Sequence, residues 1–116
     1  MYEILFYVDR NGDSPVFDYM RELKERKDKD SRIKLDKLHE YIGVLEAYGT
    51  SAGEPYVKHL DGEIWELRPA RERVLFVAWL GGKFVLLHHF VKKTQKTPKR
   101  EIEKAKREFA DFVERS

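Results

Sequence analysis

Residues 64–91, IWELRPARERVLFVAWLGGKFVLLHHFV, decide the fold that this sequence predicts. Ile64 to Arg68 alternates in polarity, as a strand with one buried face does. Val74 to Leu80 is apolar throughout, which is typical of an interior strand that is buried on both faces. Gly81-Gly82 is a signal for a two-residue hairpin loop, and Phe84 to Val91 then returns as the paired strand. The stretch predicts an antiparallel meander.

The segments on either side of this meander predict the rest of the fold. They are a strand at 2–8, a helix from the Ser14-Pro15 cap to about Lys27, a helix from about Ser31 to Tyr48, a short extended segment at 57–60, and a last helix after a Thr97-Pro98 cap. The order is β-α-α-β-β-β-α. We therefore expect one α+β domain over residues 1–116, with a small, twisted, mainly antiparallel sheet, a helical hairpin and a C-terminal helix.

The distribution of charge is more informative than its total. The formal net charge is +2, but the segment 56–100 holds ten Lys and Arg residues against four Asp and Glu. A local basic surface of this kind attracts polyanions. The chain has no cysteine, which excludes disulfides, thiolate zinc sites and a cysteine nucleophile. No apolar run reaches the length of a membrane span and the N-terminus does not resemble a signal peptide, so we expect a cytoplasmic protein with no membrane partner.

The expected strand pairing brings several cations to one end of the sheet. The strands of the meander begin or end at these residues, which are Lys58, Arg68, Arg71, Arg73, Lys92 and Lys93. Lys96, Lys99 and Arg100 follow, at the start of the last helix, where free N–H groups and the helix dipole favour phosphate. The alternative interpretation is that these cations are solvated turn and strand-exit residues.

Other kinds of chemistry find little support in the sequence. His88 and His89 are adjacent in a strand and should face opposite sides, so they do not predict a metal site. Glu63 and Glu66 are three residues apart in a strand, which argues against a paired-carboxylate site. No phosphate-binding glycine loop or nucleophile elbow is present. The sequence predicts neither a metal nor another cofactor.

Four motifs resemble the RelE/ParE superfamily of toxins from type II toxin–antitoxin systems, in particular its phage-derived, HigB-like branch. They are WELR at 65–68, RVLF at 73–76, LLHHFVKKTQKTP at 86–98 and EIEKA at 101–105. The resemblance covers nearly the whole chain. It implies a RelE-like fold with the helices packed on one side of the sheet.

The resemblance also implies a function. Many members of the superfamily are endoribonucleases that cut mRNA on the ribosome without a metal and so inhibit translation. The implied partners are a cognate antitoxin, expected to be a helix-turn-helix protein, the ribosome with its mRNA, and operator DNA only through the antitoxin complex. Two alternatives stay open: a ParE-like inhibitor of DNA gyrase, and a nucleic-acid-binding protein that does not cut.

Carried over residue by residue, the resemblance assigns catalytic roles to Lys58, Arg68, Arg73, Lys92 and Lys93. Lys58 is the candidate base and Arg68 the phosphate clamp. Arg68 and Arg73 are both expected to be polar strand-end residues outside the core. The expected RNA contacts are Arg71, His88, Lys96, Lys99 and Arg100. Where many RelE members carry a base-stacking Tyr, this chain has Thr97, Pro98 and Lys99, and His88 or His89 is the loose candidate for that role.

Overall fold

The computed structural model describes residues 1–116 and contains five strands and three α-helices. Their bounds are β1 Glu3–Phe6, α1 Pro15–Glu25, α2 Lys29–Tyr48, β2 Val57–Asp61, β3 Ile64–Leu67, β4 Glu72–Trp79, β5 Lys83–Val91 and α3 Lys99–Glu114, with a short 3-10 helix at Gly49–Ala52. None of the helices combines the length and the apolar character that crossing a membrane requires.

The strands form one sheet in the order β1-β5-β4-β3-β2. β1 runs parallel to β5, and every other pair is antiparallel. The predicted α+β fold class is confirmed. The order contains one strand more than predicted, because the extended segment after the helical hairpin pairs with β3 along its length and becomes the edge strand β2.

β4 lies in the middle of the sheet and is buried on both faces, as its unbroken apolar run predicts. Val74 and Phe76 pack against α1 and α2 on one face. Leu75 and Val77 belong to a second core, which Ala105 of α3 covers on the opposite face. The resemblance implied helices on one side only, and this expectation is wrong, since a strand with two apolar faces needs a helical layer on each.

The hairpin between β4 and β5 is longer than the two glycines predicted. Leu80, Gly81 and Gly82 all lie outside the strands and all have positive φ, at 45°, 47° and 149°. Leu80 therefore leaves the apolar strand and is exposed.

A bulge in β5 changes which face its later residues occupy. Phe76 pairs with Leu86 but Leu75 pairs with His88, so Leu87 is an extra residue in β5. Leu86 packs toward the helical hairpin, whereas His88 faces α3. Regular alternation along a strand would put these two residues on the same face, but the bulge separates them because it shifts the two-residue period by one position.

The start of α3 also differs from the sequence prediction. Pro98 rather than Thr97 occupies the N-cap position, and no side chain caps this helix. The Thr97 hydroxyl instead donates a hydrogen bond of 2.5 Å to the carboxylate of Glu66. This bond ties the segment before α3 to β3.

Candidate functional site

A cleft of about 570 Å³ opens at one end of the sheet, on the face that α3 covers. The ends of β2, β3, β4 and β5 form its floor, and the segment between β5 and α3 forms its rim. Seven of its lining residues are cations: Lys58, Arg68, Arg73, Lys92, Lys93, Lys96 and Arg100. All five predicted catalytic residues are thus brought together in one concavity.

Strand register explains why these residues meet. Leu67 pairs with Val74, so Arg68 and Arg73 are adjacent across the turn that joins β3 to β4. Arg73 in turn pairs with Phe90, two residues before Lys92. Lys58 lies on β2, directly opposite Glu66 of β3. Because each pair is antiparallel, strand ends that are distant in sequence become neighbours.

A buried carboxylate lies among these cations. Glu66 has only 3% of its side chain exposed. One of its oxygens accepts the bond from Thr97, and the other lies 3.4 Å from the Nε of Arg68 and 3.9 Å from the Nε of Arg73. A buried charge needs partners of this kind, since desolvation is costly. Glu66 is therefore held rigidly at the inner wall of the cleft.

Glu66 is not among the site residues that the sequence predicts, because the nearby acid Glu63 lies on the other face of the strand and cannot pair with it. One signal was available in the sequence. Glu66 has the same strand parity as Ile64, which is fully buried under α3, so the alternation of the strand puts an acidic residue at a core-facing position. A charged residue at such a position is uncommon unless it is paired.

The two arginines beside Glu66 differ in burial. Arg68 has 22% of its side chain exposed; its Nη1 donates a 2.9 Å hydrogen bond to Glu54, an exposed residue of the loop before β2. Arg73 has 7% exposed, and its Nη1 donates to the backbone carbonyls of Ala70 and Glu72 at 2.9 and 2.8 Å. Burial lowers the pKa of Arg73, an effect that the nearby Glu66 opposes.

Arg73 was expected to be a strand-end residue outside the core, and that expectation is wrong. Its guanidinium holds the β3–β4 turn together as well as facing the cleft. Burial of a long cation is favourable only where carbonyl and carboxylate partners surround it, which the sequence alone does not reveal. Arg68 retains the exposure expected of a phosphate-binding residue.

His88 does not lie in the cleft. It is 1% exposed, its Nδ1 lies 2.5 Å from Glu108 and its Nε2 lies 3.0 Å from Glu101, both on α3. The RNA contact predicted for His88 is therefore wrong, because the bulge in β5 turns the ring into the α3 interface and leaves no ring nitrogen free. His89 faces the opposite side, as predicted, and stacks on Tyr19 of α1 at a centroid distance of 3.7 Å.

The remaining predicted RNA contacts occupy different positions. Lys96 and Arg100 line the cleft, and Arg100 is almost fully solvated, with 80% of its side chain exposed. Lys99 is exposed at the start of α3 but does not line the cleft. Arg71 lies beside the cleft, in a shallower depression that adjoins it. No group of three or more His, Asp or Glu side chains is arranged to hold a metal ion.

Comparison with known proteins identifies the family. The family model described as phage derived protein Gp49-like (DUF891) matches residues 18–110, which is most of the chain. A search of curated proteins found no match. The chain belongs to the Gp49-like family, a phage-derived family associated with RelE-like toxins.

Proposed function

We propose that this Gp49-like protein is the toxin of a type II toxin–antitoxin system and acts as a metal-independent endoribonuclease that cuts mRNA on the ribosome and so inhibits translation. Membership of a toxin-like family supports the toxin role and an antitoxin partner. We propose further that it belongs to the HigB-like branch and that it acts on mRNA bound to the ribosome. The observation that carries the catalytic part is Glu66, a buried carboxylate that lies beside two arginines in a cleft whose other cations are four lysines and Arg100.

The cleft supplies each group that cleavage of RNA by its own 2′-hydroxyl needs. A base removes the proton of the 2′-hydroxyl, whose oxygen attacks the adjacent phosphorus. The bond from phosphorus to the 5′-oxygen breaks, and an acid protonates the leaving oxygen. The products are a 2′,3′-cyclic phosphate and a 5′-hydroxyl. Fixed cations that stabilise the charge of the transition state supply a large share of such catalysis.

We assign the base to Glu66 rather than to Lys58. Lys58 is exposed to solvent, where its ammonium group is well suited to hold a phosphate. Glu66 has an oxygen directed at the arginines and is held by Thr97, which fixes its orientation. Arg68 is the phosphate clamp, because its planar guanidinium matches phosphate oxygens and is part exposed. Lys92 or Lys93, at the end of β5, protonates the leaving oxygen.

The test compares Glu66→Gln with the wild type in a translation reaction that contains ribosomes and a defined mRNA. We expect the wild type to cut the mRNA, and Glu66→Gln to cut it about 10²–10⁴-fold more slowly, as loss of a general base typically does. Gln preserves the size of the side chain and can still accept the bond from Thr97. Glu63→Gln, which removes an exposed acid from the β2–β3 turn, is the matched control and should cut normally.

Other outcomes would redirect the assignment. Circular dichroism must show that Glu66→Gln is folded; full activity in this variant would remove Glu66 from the mechanism. Inhibition of gyrase supercoiling without cleavage of mRNA would favour the ParE-like alternative. Binding of RNA without either activity would favour the non-catalytic one. Induction of the wild type alone should arrest bacterial growth, and co-expression of the antitoxin should restore it.

A further inference from the structure

A second basic depression adjoins the cleft. It has a volume of about 510 Å³, and its lining residues are Ala70, Arg71, Arg73, Lys92, Lys93, Thr94 and Gln95. Five of these, Arg73 and the segment 92–95, also line the cleft. The two concavities therefore lie on either side of the segment that leaves β5, and a chain crossing this segment would contact both.

Three of the four cations that line this depression have no acidic partner. Glu72 stands between Arg71 and Arg73 in sequence, yet it is 4% exposed, and its carboxylate accepts a hydrogen bond from Tyr19 of α1. The only acid of this turn is therefore directed into the protein. Arg71, Lys92 and Lys93 form no ion pair, whereas Arg68 and Arg73 in the cleft each contact Glu66. The depression is the more purely cationic of the two sites.

Backbone hydrogen bonds fix the positions from which two of these cationic side chains extend. The N–H of Lys92 donates a 2.7 Å hydrogen bond to the carbonyl of Arg71, and the N–H of Glu72 donates to Pro69 at 2.9 Å. Arg73 holds the carbonyl of Ala70, whose φ of +55° is unusual for a residue with a side chain. The side chains of Arg71 and Lys92 therefore start from adjacent, hydrogen-bonded positions, which lowers the entropy cost of binding one anion between them.

We propose that this depression is a second phosphate subsite, which binds a backbone phosphate of single-stranded RNA next to the phosphate that is cut in the cleft. This inference rests on the proposed function, because it takes the cleft as the place of the scissile phosphate. Arg71 is the principal ligand, and Lys92 lies between the two sites. The RNA chain crosses the segment 92–95, which separates them.

The experiment measures binding of a fluorescent oligoribonucleotide with a single 2′-deoxy substitution at the cut position, so that cleavage cannot interfere. Affinity is recorded against salt for the wild type, Arg71→Gln and Arg32→Gln. Arg32 is the matched control: it is also exposed and free of ion pairs, but it lies on α2, on the opposite face of the sheet. The oligonucleotide is also shortened by one nucleotide at either end.

We expect Arg71→Gln to bind more weakly and to reduce the slope of log affinity against log salt by about 0.7, the contribution of one phosphate contact in a single strand. Arg32→Gln should keep the wild-type slope. Removing the nucleotide at the end that reaches the depression should weaken RNA binding by the wild type but not by Arg71→Gln. An Arg71→Gln slope equal to that of the wild type would overturn the subsite, as would failure of the wild type to bind the oligonucleotide.

The two proposals fail in different ways. If the wild type binds RNA with a salt slope that depends on Arg71 but never cuts mRNA, the subsite proposal stands and the nuclease proposal fails. If the wild type cuts mRNA and Arg71→Gln changes neither the salt slope nor the cleavage rate, the nuclease proposal stands and the subsite proposal fails.

Discussion

Glu54 holds the cation that should bind the substrate, so replacing it by Gln should strengthen RNA binding. The carboxylate of Glu54 lies 2.9 Å from the Nη1 of Arg68, and the Nε of Arg68 faces Glu66. Both sides of the guanidinium are thus occupied by acids. Glu66 is buried and tied to Thr97, whereas Glu54 is 67% exposed on a loop. An incoming phosphate should therefore displace Glu54 rather than Glu66.

The size of the effect follows from the exposure of the pair. An ion pair at a solvated surface contributes about 0.2–1 kcal/mol. RNA must break this pair in the wild type but not in Glu54→Gln. The variant should therefore bind RNA about 1.4- to 5-fold more tightly, since each 1.4 kcal/mol corresponds to about a tenfold change. The unfolding midpoint should change little.

Removal of any acid near the cleft would raise affinity somewhat through net charge alone, so the assay needs a matched control. Glu63→Gln changes the net charge equally and alters an exposed acid that forms no ion pair. Binding of a non-cleavable oligonucleotide, measured by fluorescence anisotropy at low salt, should place Glu54→Gln above Glu63→Gln. Equal gains in the two variants would refute the competition. Weaker binding by Glu54→Gln would show instead that Glu54 positions Arg68.

Four further expectations concern stability, binding and chemistry. Arg73→Ala should lower the free energy of unfolding by about 1–3 kcal/mol in urea denaturation, because it leaves the carbonyls of Ala70 and Glu72 without this donor and removes one of the cations beside Glu66; an unchanged midpoint would contradict the role of Arg73 in holding the turn. Burial lowers the pKa of His89 to about 4 from its ordinary 6.5, so the unfolded chain takes up a proton first and stability should fall as the pH drops from about 6.5 to about 4. His89→Asn should flatten that fall, and a curve parallel to the wild type would exclude His89 as its source. Lys96→Gln should lower the salt slope of RNA binding by about 0.7 and Lys99→Gln by less, since only Lys96 lines the cleft; equal slopes for both variants would show that the cleft does not select between them. Cleavage should persist in EDTA at concentrations that leave ribosomes intact, and loss of cutting that added Mg²⁺ or Zn²⁺ restores would refute the metal-independent mechanism.

The sequence predicted where the cations would meet because that result depends on strand order alone. Antiparallel strands joined by short turns bring their ends together whatever happens within them. The bulge in β5 moved His88 to the other face, yet Lys92 still follows Val91 at the same end of the sheet. The predicted position of the cleft therefore does not depend on the exact register of β5.

The faces and the burial of individual residues could not be predicted in the same way. In the run Leu86 to Phe90 apolar residues occupy both parities, so nothing in the local pattern marks Leu87 as the extra residue. Burial of Glu66 depends on Thr97, which is 31 residues away in sequence. Burial of Glu72 depends likewise on Tyr19, 53 residues away. Pairing at such a distance has no signature in one sequence.

The two buried acids, Glu66 and Glu72, determine which cations of the basic surface have an acidic partner and which do not. Glu72 is withdrawn toward α1, which leaves Arg71 and its lysine neighbours as uncompensated charge suited to binding. Glu66 is kept inside the cleft, where it compensates Arg68, the proposed phosphate clamp, and is the proposed proton acceptor. Binding and chemistry should therefore respond to different substitutions. Loss of a rim cation should act on affinity and its salt dependence, whereas loss of Glu66 should lower the rate at saturating substrate. If both kinds of substitution changed affinity alone, the cleft would be a binding surface and Glu66 only the counter-ion that lets two arginines be buried side by side.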